Sequence, residues 1–189
     1  HELGQLGEQY IDLEGRANHK GSSFGGIGEK EQPSTEHFHN LIYEDLRRID
    51  RSRRVWIEDE GVMVGKVNLP LPLYEQIRKA KTLVVDLNRH DRAKRLVDDY
   101  AHQGDDLLKE AILRLQKRLG GQHVNAALDL LRDGAYEEVA EICLAYYDKY
   151  YQKSLDKREK SSVHTLTAMT ADARNNAEMV QQWADKEKI

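Results

Sequence analysis

Apolar positions along this chain follow two rhythms: short strand-like runs, and longer stretches with an apolar residue every three or four positions. The short runs are Gln9–Glu14 (ended by Gly15), Arg54–Asp59, Thr82–Asp86 and Ser162–Thr167. The middle two are nearly continuous in apolar residues, which predicts strands covered on both faces. Helical pattern, rather than turn residues, lies between them, so the predicted sheet is mainly parallel.

Local signals bound the helices. Ser34, just after Pro33, is a predicted N-cap, and Phe38, Leu41, Ile42, Leu46 and Ile49 follow at helical spacing. A second helix starts after the Leu69–Pro72 stretch and carries Leu73, Tyr74, Ile77 and Ala80. Asp91–His102 follows the third strand. The most regular stripe is Asp105–Leu119, with Leu108, Ala111, Ile112 and Leu115 on one face and Gly120-Gly121 as its stop. Val124–Leu131, Tyr136–Leu155 and Thr170–Lys186 complete the series. The pattern is that of a single α/β domain over residues 1–189, largely helical from about 91 to 160.

Composition narrows the function classes. Hydrophobic residues at 39% and charged ones at 33% are a globular balance. The net charge of −4 excludes a generally basic nucleic-acid coat and leaves room for a local basic face. No apolar run approaches the ~20 residues of a membrane-spanning helix, so a cytoplasmic protein without a membrane partner is expected. The single cysteine excludes an internal disulfide and any multi-cysteine metal site. It is Cys143, inside the apolar run Val139–Tyr146, where packing is its expected role.

Candidate chemistry begins with the acids at strand ends. Asp12 and Glu14 close the first predicted strand, Glu58-Asp59-Glu60 the second and Asp86 the third. Ligands of open parallel sheets bind outside the carboxyl ends of the strands, so these acids would collect at one crevice and hold a cation or orient phosphate. The plainer alternative is that each acid marks where a strand meets solvent. The segment Gly21–Lys30 has the Gly and Ser content of a phosphate cradle but not the G-x-x-x-x-G-K-[ST] order, and a flexible lid or plain loop remains an alternative. Arg89, Arg92, Lys94 and Arg95 follow the third strand at the ligand edge, where arginines can clamp phosphate oxygens. Arg114, Lys117 and Arg118 share a helix, whereas Arg47, Arg48, Arg51, Arg53 and Arg54 precede a strand and fall at the opposite edge. Asp50, Asp91, Asp98 and Asp99 are nearby candidates to neutralise these groups. His19 borders the Gly-rich segment, while His37 and His39 are two apart on a helix and point to different sides. The cluster Tyr146-Tyr147-Asp148-Lys149-Tyr150-Tyr151 suits either base stacking or a packing stripe.

The run Asp12-Leu13-Glu14-Gly15-Arg16-Ala17-Asn18-His19-Lys20-Gly21-Ser22-Ser23-Phe24-Gly25 resembles a signature of the tRNA 2-selenouridine synthase family. So do Gln32-Pro33-Ser34, Val55-Trp56-Ile57-Glu58-Asp59-Glu60, Leu69-Pro70, Lys117-Arg118-Leu119-Gly120 and Tyr146-Tyr147-Asp148 with Tyr150, in that order from about Gln9 to Lys160. Arg16 departs from it, standing where an apolar residue is expected.

The resemblance implies a parallel sheet of P-loop NTPase type, preceded in the family by a rhodanese-like domain. It implies an enzyme that replaces the sulfur of wobble 2-thiouridine in tRNA with selenium from selenophosphate, through an S-geranylated intermediate made from geranyl diphosphate. On this reading Asp12, Glu14 and His19 are the catalytic candidates, and Gly21, Ser22, Arg89, Arg92 and Arg95 bind phosphate or diphosphate. Lys117 and Arg118 bind tRNA, and Glu58 and Asp59 hold a metal ion, with Mg²⁺ the expected species and no tightly bound cofactor. His1–Leu6 reads as the end of the helix that follows a Walker A loop. The chain is therefore expected to be a C-terminal portion that lacks the central strand and needs the other segments, in cis or as a separate chain, for activity. A small-molecule kinase or NTPase fragment and a non-catalytic tRNA-binding module are the alternatives.

Overall fold

A computed structural model describes all residues from His1 to Ile189. One helical turn, α1 (Glu2–Gln5), leads into β1 (Gln9–Ile11). This strand is shorter than its pattern predicts. The chain turns at Asp12, whose Oδ1 accepts the Gly15 N–H at 2.7 Å and caps a short helix, α2 (Leu13–Ala17). A Cβ at position 15 would collide with that same carboxylate, so the Asp-Leu-Glu-Gly run is a capped turn and not a strand end. Leu13 and Ala17, one turn apart, are fully buried. Arg16 finds its partner in the next helix, α3 (Thr35–Arg48), where Asp45 receives both arms of the guanidinium at 2.8 and 2.6 Å. Ser34 caps α3 as predicted, its Oγ accepting the His37 N–H.

β2 (Val55–Ile57) runs parallel to β1, with Gln9 opposite Val55 and Ile11 opposite Ile57. Next comes a hairpin that the pattern does not predict, β3 (Met63–Val64) antiparallel to β4 (Val67–Asn68). Two residues per strand are too few to show a period. Gln32 braces this hairpin by donating to the carbonyls of Ala17 and Val64 and accepting the Lys66 N–H. With α4 (Leu71–Lys79), these elements enclose a first core of Ile11, Leu13, Phe38, Ile42, Val64 and Ile77.

β5 (Thr82–Asp86) leads through an Asn88 cap into α5 (Arg89–Tyr100). The predicted Asp105–Leu119 helix is two, α6 (Asp105–Arg114) and α7 (Gln116–Leu119), broken at the fully buried Leu115. Gly120 leads straight into α8 (Gly121–Arg132), which starts before the predicted Val124. α9 (Tyr136–Leu155) has its predicted bounds. β6 (Val163–Thr167) lies parallel to β5, and α10 (Ala173–Lys186) begins beyond the predicted Thr170 because Asp172 caps it. The helical half packs around a second core that includes Leu108, Ile112, Leu115, Val124, Val139 and Cys143.

The two parallel pairs are separate sheets. Between them lies a cleft of about 520 Å³, lined by Val55, Trp56 and Ile57 on one side, Thr82, Leu83 and Val85 on the other, and Trp183 of α10. Val55 and Val85 are therefore 41% and 40% exposed, where the pattern predicts strands covered on both faces. No helix is long and apolar enough to cross a membrane.

Candidate active site

The Gly-rich segment after α2 joins the two cores. Phe24 and Ile27 pack into the helical core, the Ser23 N–H donates to the Tyr147 hydroxyl at 2.9 Å, and the Ser23 carbonyl accepts from Arg114 at 3.0 Å. The Lys20 ammonium lies 5.0 Å from the Tyr100 ring centre. These anchors tie the segment across the two cores as a strap. Its tight turn is internal: the Gly21 N–H donates to His19 Nδ1 at 3.2 Å, and Ser22 Oγ accepts the Phe24 N–H at 3.1 Å. The accepting Nδ1 puts the His19 proton on Nε2, and burial lowers its pKa, so the ring is neutral and shapes the turn.

Behind the strap sits a carboxyl pair. Gly21 has φ +68, and a side chain there would come within 2.5 Å of Glu60 Oε1, so glycine is required both for conformation and for space. Glu60 lies against Glu14, and both carboxyls are raised above their ordinary pKa, Glu14 to about 7. Burial is the main cause for each. The charge of Glu60 raises Glu14 further, whereas the hydrogen bond from Glu14 pulls Glu60 back. The two carboxyls thus share one proton, because burial disfavours a doubly ionised pair.

Burial also pushes Glu58 up to about 7, partly opposed by the Leu13 N–H that it accepts at 2.9 Å. Asp59 faces elsewhere, to Arg78 at 3.4 Å and to Arg158. Glu58 and Asp59 therefore do not converge, and no three His, Cys, Asp or Glu side chains come together to hold a metal ion. An Mg²⁺ ion at these two residues does not fit their geometry.

On the solvent side of the strap opens a cavity of about 560 Å³, within the usual range of small-molecule sites. Its walls are apolar, with Phe24, Leu96, Tyr100, Leu108 and Leu144, and its charged and polar groups include His1, Glu14, Lys20, Ser22, Arg92, Arg95 and Asp99. Arg92 is held by Asp148 of α9 through contacts of 2.6 and 3.0 Å, and Arg89 reaches the same carboxylate at 3.0 Å. Arg92, then Arg89, keep Asp148 below its ordinary pKa. The buried Arg92 Nε has no partner, and Arg95 forms no ion pair, although Asp99 lines the same cavity.

A family model described as the tRNA 2-selenouridine synthase AAA domain matches residues 2–188. The chain belongs to this family. It is 34% identical over 185 residues to a tRNA 2-selenouridine synthase of Aeromonas salmonicida, a match covering 80% of this chain and 49% of that one. A protein of the same name from Pseudomonas fluorescens is 37% identical over 157 residues, covering 73% and 42%. One from Shewanella frigidimarina is 27% identical over 212 residues, covering 96% and 55%. The chain spans about half the length of the curated relatives it matches. No solved structure matches it.

In this family member, Glu14, Ser22, Arg92 and Arg95 meet at one cavity, with Gly21 and His19 forming the turn behind it. Arg89 stands beside them through Asp148, and Asp12 is the cap of α2. Lys117 and Arg118 lie exposed on α7 and do not line the cavity. Sequence reasoning grouped Glu60 with the crevice acids but gave it no role, and it gave Asp148 none. Glu60 sits within the acidic run after β2 and Asp148 within the tyrosine cluster, but only the tertiary structure supplies their partners.

Glu58 gives a stability test. Its folded-state pKa of about 7 lies above the ordinary 4.5, so the folded state binds the extra proton between those values. Stability therefore falls as pH rises from about 4.5 to about 7. Glu58→Gln, which keeps an acceptor for Leu13, is expected to flatten that fall and to add on the order of 2 kcal/mol at pH 8, after discounting for partial exposure. Denaturant unfolding at pH 5 and pH 8 measures it, and equal slopes in both proteins would refute the assignment.

Proposed function

We propose that this chain is the prenyl- and phosphate-handling part of an enzyme that exchanges sulfur for selenium at wobble 2-thiouridine of tRNA. Selenophosphate supplies the selenium, and geranyl diphosphate forms the S-geranylated intermediate. The observation that carries the reading is the amphipathic cavity. Its aromatic and aliphatic walls suit an isoprenoid chain, while Lys20, Arg92 and Arg95 suit the diphosphate. The unpartnered Arg92 Nε is a donor awaiting an anionic oxygen. The names of the relatives support a tRNA nucleoside as the other substrate.

The chemistry assigns the carboxyl pair. When the thiouridine sulfur attacks C1 of the prenyl diphosphate, a C–S bond forms as the C–O bond breaks, and diphosphate departs with the electron pair. S-alkylation of the thioamide also requires loss of the N3 proton. Glu60, taken as the ionised member of the pair and held by the cavity-lining Glu14, is the base for it, its pKa raised mainly by burial. Asp12 positions this turn as the cap of α2, and His19 and Gly21 fix the strap that carries Ser22 toward the phosphate. Arg89 holds Asp148 beside Arg92, and Lys117 and Arg118 are exposed cations for the tRNA backbone.

The open cleft belongs to the same reading. β2 and β5 present free edges to each other, and unpaired strand edges are unstable in a working protein. A strand from a segment of the polypeptide outside residues 1–189, bearing the P-loop, would pair with both and bring its phosphate-binding loop to the strap.

Filling the cavity tests the assignment. Ala140, on its α9 wall, replaced by Phe is expected to lower prenylated and selenated tRNA by about tenfold or more while leaving tRNA affinity unchanged. Modification at the normal rate in Ala140→Phe would remove the cavity from the reaction.

A further inference from the structure

Four tyrosines on α9 run ring to ring toward the cavity. Tyr147 and Tyr146 are 5.2 Å apart between centres, Tyr146 and Tyr150 6.3 Å, and Tyr150 and Tyr151 6.2 Å. The inner end is engaged, since Tyr147 accepts the Ser23 N–H and lines the cavity. The other rings are open to solvent: Tyr150 is 56% exposed, and Tyr151, at the cavity rim, is 53% exposed. Lys149 and Lys153 flank Tyr150, one turn apart on the same face, exposed and in no ion pair. Asp148 points the other way, into Arg89 and Arg92. A contiguous run of exposed rings rimmed by polar groups is the kind of patch that marks an interaction surface.

Resting on the tRNA reading above, we infer that this face of α9 is the stacking platform for unpaired nucleotides of the RNA substrate. Its rings take the base faces and Lys149 and Lys153 take the phosphates. Tyr150 is then a binding residue and the ladder a track that delivers one base to the cavity mouth. Two features favour RNA as the occupant. Aromatic rings interleaved with free cations match single-stranded nucleic acid, which presents flat π-faces and a phosphate at each step. The ladder also borders the chemistry: Tyr147 and Tyr151 line the cavity, while Tyr146 and Tyr150 lie outside it.

The test compares the full-length protein with Tyr150→Ala, Tyr150→Phe and the pair Lys149→Gln/Lys153→Gln. The probes are the anticodon stem-loop of a substrate tRNA and a fully paired duplex of matched length. Tyr150→Ala should weaken stem-loop binding about tenfold and leave duplex binding unchanged, while Tyr150→Phe binds like the parent because the ring remains. The lysine pair should reduce the salt dependence of log K by about 0.7 per lysine. Unchanged melting temperatures keep the result interpretable, since Tyr150 is exposed. Equal stem-loop affinity in Tyr150→Ala, or equal weakening toward both probes, overturns the platform while leaving the tRNA reading intact. If the parent protein binds neither the stem-loop nor whole tRNA, the tRNA reading itself fails, and the platform with it.

Discussion

Replacing Arg158 with alanine is expected to destabilise the protein by about 3–5 kcal/mol, more than any surface change to the proposed site. Its side chain is 1% exposed, yet it carries a charge. One guanidinium arm donates to the carbonyls of Ile77, Arg78 and Ala80 at the end of α4, and the other pairs with Asp59 after β2. Arg158 thereby ties the first core to the chain entering β5 and β6, beneath the cleft where backbone pairing is missing. Alanine would leave the helix end unsatisfied and Asp59 with only Arg78. Lysine keeps the charge but cannot span both groups, so Arg158→Lys should recover only part of the loss. Denaturant unfolding measures both, and a loss below about 1 kcal/mol for alanine would show that the cluster is not a structural tie.

Arg158 also illustrates what the sequence can and cannot reveal. Nothing in the local pattern around it signals burial, because its partners lie about eighty positions away. Long, periodic elements were legible: α9 has its predicted bounds, Ser34 caps α3, and the parallel pairing follows from the helices between strands. Short elements were not, because hydrogen bonds and not periodicity decide them. Asp12 and Gly15 convert a strand-like run into a helix through one capping bond, and the hairpin after Glu60 is held by Gln32 from across the fold. The Leu115 break is silent in the pattern because the apolar stripe continues through it.

The site was legible in outline. The Gly-rich strap and Arg92 and Arg95 could be placed from residue type and position after predicted elements. Placing acids at strand ends led to Glu14 by the wrong local structure, since it lies in a helix turn. The same reasoning paired Glu58 with Asp59, which are adjacent in sequence but face different partners. A pair of carboxyls sharing a proton is a tertiary fact, created when the strap folds Gly21 over Glu60.

That pair yields the largest effect expected on catalysis. Glu60→Gln is expected to slow tRNA modification by about 10²–10⁴, the usual contribution of a positioned general base, because the amide cannot take the N3 proton. The parent rate should rise with pH as the coupled pair ionises and then level, whereas Glu60→Gln should be slow and flat across that range. Glu14→Gln separates base from partner. Its amide still donates to Glu60, so it is expected to keep most of the rate, with a single ionisation in the acid limb where the parent shows two coupled ones. Single-turnover rates across pH in the full-length protein, with bound tRNA saturating, distinguish the roles. A parent-like pH profile in Glu60→Gln would exclude it as the base. A large, pH-independent loss in Glu14→Gln with Glu60→Gln unaffected would transfer that role to Glu14.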